Sequence, residues 1–141
     1  MSLDVLGELN WLAVIVATIA FFMLGAVWYA QPVFGRTWQR ASGVEATAGE
    51  RLGIAFYLGP LATCFLSTLA TAILARATGA DSFDEAIVLA LVVGIGYAAA
   101  VAFVGGIFDP HKPEPKVWFA IFAGYQVVGL LLAATILALW D

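Results

Sequence analysis

Four stretches of apolar sequence, roughly Leu9–Ala30, Gly53–Ala75, Ala86–Phe108 and Val117–Trp140, contain no residue charged at neutral pH. Each is near or above the ~20 residues a helix needs to cross a hydrocarbon core of ~30 Å. In lipid the backbone must satisfy its own hydrogen bonds, and within a single segment only a helix does so. The pattern predicts an all-α membrane protein built as a four-transmembrane-helix bundle. Composition agrees, with 63% apolar and 11% charged residues, where soluble domains carry ~25% charge and need it to face water. Four spans and their connections occupy the 141 residues, so a single integral membrane domain (1–141) is expected, without a soluble catalytic domain beside it.

The first span is read as a retained helix. The segment before it carries Asp4 and Glu8 and no basic residue, and its apolar run exceeds the ~7–15 residues of a signal-peptide core. Basic residues then set the orientation. Arg36, Arg40 and Arg51 follow the first span, and Lys112 and Lys116 follow the third. Four crossings place both segments on one side, which the positive-inside rule makes cytoplasmic, giving an N-out/C-out topology. Trp11, Trp28, Tyr29, Trp118 and Trp140 sit at span ends, where amphipathic rings suit the headgroup zone. Phe34, Arg36, Trp38 and Arg40 after Pro32 predict a short amphipathic interfacial helix. Arg36, Arg40, Lys112 and Lys116 are the candidate contacts to anionic lipid. A net charge of −4 spread over few groups makes no field for nucleic acid.

Few residues outside the spans suggest chemistry. Asp109, His111 and Glu114 fall in a proline-rich loop, Asp109–Lys116, expected to be extended. One His and two carboxylates without a defined turn make a poor ligand set, and no metal or other cofactor is expected. Cys64 is alone, so no disulfide within the chain is available, and it reads as a small packing residue. Asp81 or Ser82 is the expected N-cap of the third span, and Gly79 the stop of the second.

Within the spans the informative residues are small or polar. Gly94, Gly96, Ala98, Ala99, Ala100, Gly105 and Gly106 thin the third helix, while Gly25, Gly124 and Gly129 do the same on the first and fourth. Such positions let backbones approach closely. Thr63, Ser67 and Thr71 recur every four residues, so their hydroxyls share a face that serves either as interhelical glue or as a polar lining. An amide in hydrocarbon needs partners. Gln126 is accordingly expected to clamp onto Tyr97 or the hydroxyl face, or to face a pore or substrate. Pro60 marks a bend in the second helix.

The opening Asn10-Trp11-Leu12-Ala13, then Leu24-Gly25-Ala26-Val27-Trp28-Tyr29 and Phe34-Gly35-Arg36 with Trp38, resemble the N-terminal signature of a bacterial membrane family catalogued as domain of unknown function 1761. The closing Ala123-Gly124-Tyr125, Leu130-Leu131-Leu132 and Ile136-Leu137-Ala138-Leu139-Trp140 are similar to it as well. The resemblance implies a four-helix membrane protein without assigned activity, and it supplies no catalytic residues. Pro32, Phe122 and Gln126 depart from the family's common pattern.

Exclusions narrow the function. A single Cys leaves no pair for thiol redox chemistry, and the lone His lies in a loop rather than where it can ligate haem in the bundle. The spans also lack the embedded carboxylate on which proton-coupled exporters depend. The first remaining reading is a structural or accessory subunit in the lipid bilayer, assembling as a homo-oligomer or beside a larger membrane partner. The alternative is a passive channel or carrier for a small neutral or anionic solute, lined by Thr63, Ser67, Thr71, Tyr97 and Gln126. A weaker alternative is a lipid-interface enzyme using Arg36, Arg40, His111 and Lys112.

Overall fold

A computed structural model describes residues 2–44 and 53–140; Arg51 lies outside the described residues. All regular structure within them is helical. Helix α1 (Trp11–Trp28) leads through a π turn at Gln31–Gly35 into the short α2 (Arg36–Ser42). Helix α3 (Ile54–Thr78) is the second span. The third span, Phe83–Ile107, comprises α4 (Phe83–Val93), a π-helical segment at Gly94–Ala99 and α5 (Ala100–Ile107), and α6 (Pro115–Leu139) is the fourth. Each of these four units is long and apolar enough to cross a membrane.

Caps explain where the helix ends depart from the hydropathy boundaries. Asn10 caps α1 by accepting from the Ala13 N–H, so Leu9 stays outside. Ser82 and Glu85 form a reciprocal capping box, which starts α4 at Phe83 rather than at Ala86. Helix α3 continues past Arg76 to Thr78 and stops at Gly79, whose φ of 69° an L side chain adopts only with strain. Pro115 occupies the first turn of α6, where its missing N–H costs nothing. The proline loop is consequently shorter than its sequence suggests, and it turns instead of running extended.

Helix α6 lies at the centre, packed against α1, α2, α3, α4, the π segment and α5. Its glycines explain how closely it is approached. The ring of Phe21, fully buried, fills the space where Gly129 lacks a side chain, and Trp28 does the same at Gly124. Conversely Tyr125 of α6 projects onto Gly25 and Trp118 onto Gly106. Water is absent, so such van der Waals fits, rather than hydrophobic burial, drive helix association.

Four polar contacts pin the same helices. Trp28 Nε1 donates to the Ile121 carbonyl at 3.0 Å and Tyr125 Oη donates to the Phe21 carbonyl at 3.3 Å. Buried Cys64 meets Tyr125 Oη at 3.3 Å, which makes it the small packing residue expected of it. Asn10 Nδ2 donates to the Trp140 carbonyl at 2.8 Å, joining the start of α1 to the end of α6.

At the loop end α2 lies against α6, with Ala41 fully buried and Trp38 edge-on to Tyr29 at 5.6 Å. Arg40 pairs with Glu114 at 2.8 Å. The same contact region holds Gly43, at φ 74°, against the Pro113 ring.

Candidate functional site

Helix α3 packs on α1, α4 and α6 but scarcely touches α5. Residues 53–60 at its start are exposed all round. Where α3 diverges from the third span, a side cavity of about 550 Å³ opens, within the ~300–1,000 Å³ usual for ligand sites. Among the described residues nothing closes its outer side. From α6 it is lined by Trp118, Phe122, Gln126 and Leu130, a ridge at four-residue spacing. Facing them are Tyr97, Val101 and Gly105 of the third span and Ser67 of α3.

Ser67, Tyr97 and Gln126 are thus brought to one cavity, and each lies within two residues of the centre of its span. That places all three near mid-depth, within about 3 Å of the span centres. Gln126 does not clamp onto Tyr97 or onto the hydroxyl face. Among the described residues none of the three side chains has a hydrogen-bond partner, in surroundings where an unsatisfied polar group is costly.

Thr63 and Thr71 go elsewhere. Thr63 is exposed and donates to the Pro60 carbonyl at 2.9 Å, and Thr71 is buried and donates to the Ser67 carbonyl at 2.8 Å. Both therefore serve their own helix. Thr68 is fully buried with Oγ1 unpartnered.

A second, smaller cavity of about 90 Å³ sits at the terminal end, lined by Glu8, Asn10, Arg76, Asp81 and Ala134, with Arg76 Nε 3.5 Å from Glu8. Along each helix a residue between the two linings, Thr71 on α3, Ala90 on α4 and Ala133 on α6, is 0–1% exposed. The two spaces do not join.

Two of the loop-end cations, Arg40 and Lys112, are engaged. Lys112 Nζ donates to Asp109 at 2.6 Å and lies 4.6 Å from the centre of the Trp118 ring, at the loop end of the side cavity. The hydrogen bond from Lys112, followed by the backbone N–H of His111, holds the Asp109 carboxyl down at about 2. Glu114 is taken by Arg40. Asp109 and Glu114 therefore face cationic partners and His111 faces Asp109, and no group of three metal-ligating side chains occurs among the described residues. Arg36 and Lys116 are exposed and have no partner among the described residues. Neither cavity is lined by Arg36, Arg40, His111 or Lys112.

Two features of the site escape a reading of spacing alone. The π segment holds Tyr97, and such segments often occur at functional sites; the Gly94-x-Gly96 pair is its one sequence signal. The Trp118–Phe122 stack, at 4.9 Å and 8° between planes, is readable as aromatics one turn apart, although Trp118 looks like an interface anchor.

Fold and cavity together define a multi-pass membrane protein with a lipid-side cavity and no embedded charge. The chain belongs to the family described as Protein of unknown function (DUF1761), whose profile matches residues 12–138. No curated protein and no solved structure matches it.

Proposed function

We propose that this is a non-catalytic membrane subunit that takes a lipid-soluble ligand from the bilayer into its side cavity. The observation that carries this reading is the convergence of Ser67, Tyr97 and Gln126, unpartnered, on one cavity at mid-depth. The accessory role survives in this form. Its homo-oligomeric version has less support, because Gly25, Gly94, Gly106, Gly124 and Gly129 already receive side chains of this chain. A continuous channel is disfavoured by the fully buried layer at Thr71, Ala90 and Ala133. The positive-inside rule supports placing the loop end in the cytoplasm and both termini outside, and the resemblance to a bacterial membrane family supports a bacterial inner membrane.

Gly105 supplies the test. It lines the cavity, and a Cβ there meets nothing within 4 Å, so Gly105→Phe brings a ring to the cavity without a clash where it joins the backbone. Native mass spectrometry from lipid nanodiscs is expected to show a retained small molecule on the wild type and its loss from Gly105→Phe. Equal retention by both proteins, or none by either, overturns the reading.

A further inference from the structure

The shape and polarity of the side cavity restrict what enters it. Along α6 the lining runs from Trp118 to Leu130, twelve residues or about 18 Å of helix. The space of about 550 Å³ is thus a groove drawn out along the helix axis rather than a chamber at one depth. Its loop-end half is floored by the parallel rings of Trp118 and Phe122, a flat apolar surface against which a chain can lie. Polarity is confined to mid-depth, where Ser67, Tyr97 and Gln126 sit.

Among the described residues no charged side chain lines the groove. The nearest cation, Lys112 above Trp118, is already bonded to Asp109. An ionised head at mid-depth would have no counter-charge there, and burial of an unpaired ion is prohibitive. A plain hydrocarbon fits the groove but leaves all three polar side chains unsatisfied. The Gln126 amide both donates and accepts, and the two hydroxyls do either. Together they match an uncharged oxygen function.

Resting on the binding reading above, we propose that the cavity selects an uncharged amphiphile: a single chain carrying a carbonyl or hydroxyl group that docks at mid-depth among Ser67, Tyr97 and Gln126. The chain then lies along Trp118 and Phe122 toward the loop end. Entry is sideways, where α3 stands off α5.

The probes are three brominated chains of equal length, a primary alcohol, the corresponding carboxylate at pH 8 and an alkane. Protein in nanodiscs is titrated with each, and bromine quenching of tryptophan fluorescence is compared with that in Trp118→Phe to isolate the cavity signal. Saturable quenching by the alcohol is expected about tenfold tighter than by the alkane or carboxylate, roughly the worth of one or two net hydrogen bonds. Gln126→Leu, which loses no partner among the described residues, should erase most of that preference while still binding the alkane. Gly105→Phe should abolish the signal for all three. Equal affinity for the three probes, or an unchanged preference in Gln126→Leu, overturns the proposed ligand class and leaves binding intact. Absence of saturable quenching by any probe overturns the binding reading itself.

Discussion

Replacing Gly129 by Ala puts the close fit of α1 on α6 to a quantitative test. A methyl there falls within the edge of the Phe21 ring, which is 1% exposed and has its other neighbours fixed. The Tyr125 ring lies 5.4 Å from it, and Tyr125 is itself held by the Phe21 carbonyl and Cys64. The ring therefore cannot swing aside cheaply. Overpacking of this kind costs about 1–3 kcal/mol, and a pinned ring belongs at the upper end. Gly→Ala in a helix interior returns about 1 kcal/mol. The net expectation is a loss of about 2 kcal/mol, near 30-fold in the folded-to-unfolded ratio. Gly105→Ala is the control, since it carries the same helix gain into open space and is expected to be neutral or stabilising by up to about 1 kcal/mol. Reversible unfolding in bicelles, followed by steric trapping, measures both. In a Phe21→Leu background, which removes the ring edge, the Gly129→Ala cost should fall by more than half. Equal effects of the two Ala substitutions, or a cost unchanged by Phe21→Leu, would refute the packing argument.

Other substitutions probe single contacts. Tyr125→Phe removes the bond to the Phe21 carbonyl and the Cys64 contact, and the same unfolding assay should register a loss of about 0.6–1.5 kcal/mol. Asn10→Ala loses both the α1 cap and the link to Trp140; about 0.5–2 kcal/mol is expected, with faster amide exchange at Ala13 as the local marker. Arg40→Ala breaks an exposed pair with Glu114, so thermal melting should shift by less than about 1 kcal/mol equivalent and converge with the wild type at high salt. Asp109 has a folded-state pKa depressed to about 2, so its stabilising contacts are complete above its ordinary carboxylate value and fade as pH falls through about 2. Exchange protection of the His111 amide, bonded to Asp109 at 2.9 Å, should persist at pH 4 and disappear toward pH 2. Asp109→Asn should weaken it at every pH.

The spans were legible because runs without charge leave a chain little choice in lipid, and the Ser82 cap and Gly79 stop were legible because each supplies a specific missing group or backbone angle. The cavity was legible only in its residues. Thr63, Ser67 and Thr71 share a face by four-residue spacing, but each step of four advances about 40° around an α-helix. Over two steps the face turns from lipid at Thr63, through the cavity at Ser67, to the core at Thr71. Gln126 stands out in the sequence as an amide in hydrocarbon, whereas its company depends on α3 diverging from α5 and on the π segment carrying Tyr97. Those are long-range packing outcomes, set by which side chains α6 presents to each neighbour, and local periodicity does not encode them.

Helix α6 presents two kinds of surface. Toward α1 it offers Gly124 and Gly129, which accept Trp28 and Phe21. Toward the cavity it offers the ridge Trp118, Phe122, Gln126 and Leu130, three large apolar side chains and one amide. Stability alone does not explain that amide. Leucine at position 126 would continue the ridge, sacrifice no bond within the chain and avoid placing an unsatisfied group in hydrocarbon. Tyr97 and Ser67 face the same objection, at the same depth and on different helices. Three separate polar side chains without partners among the described residues, lining one space in a medium that penalises each of them, are accounted for together by a molecule that enters and bonds them.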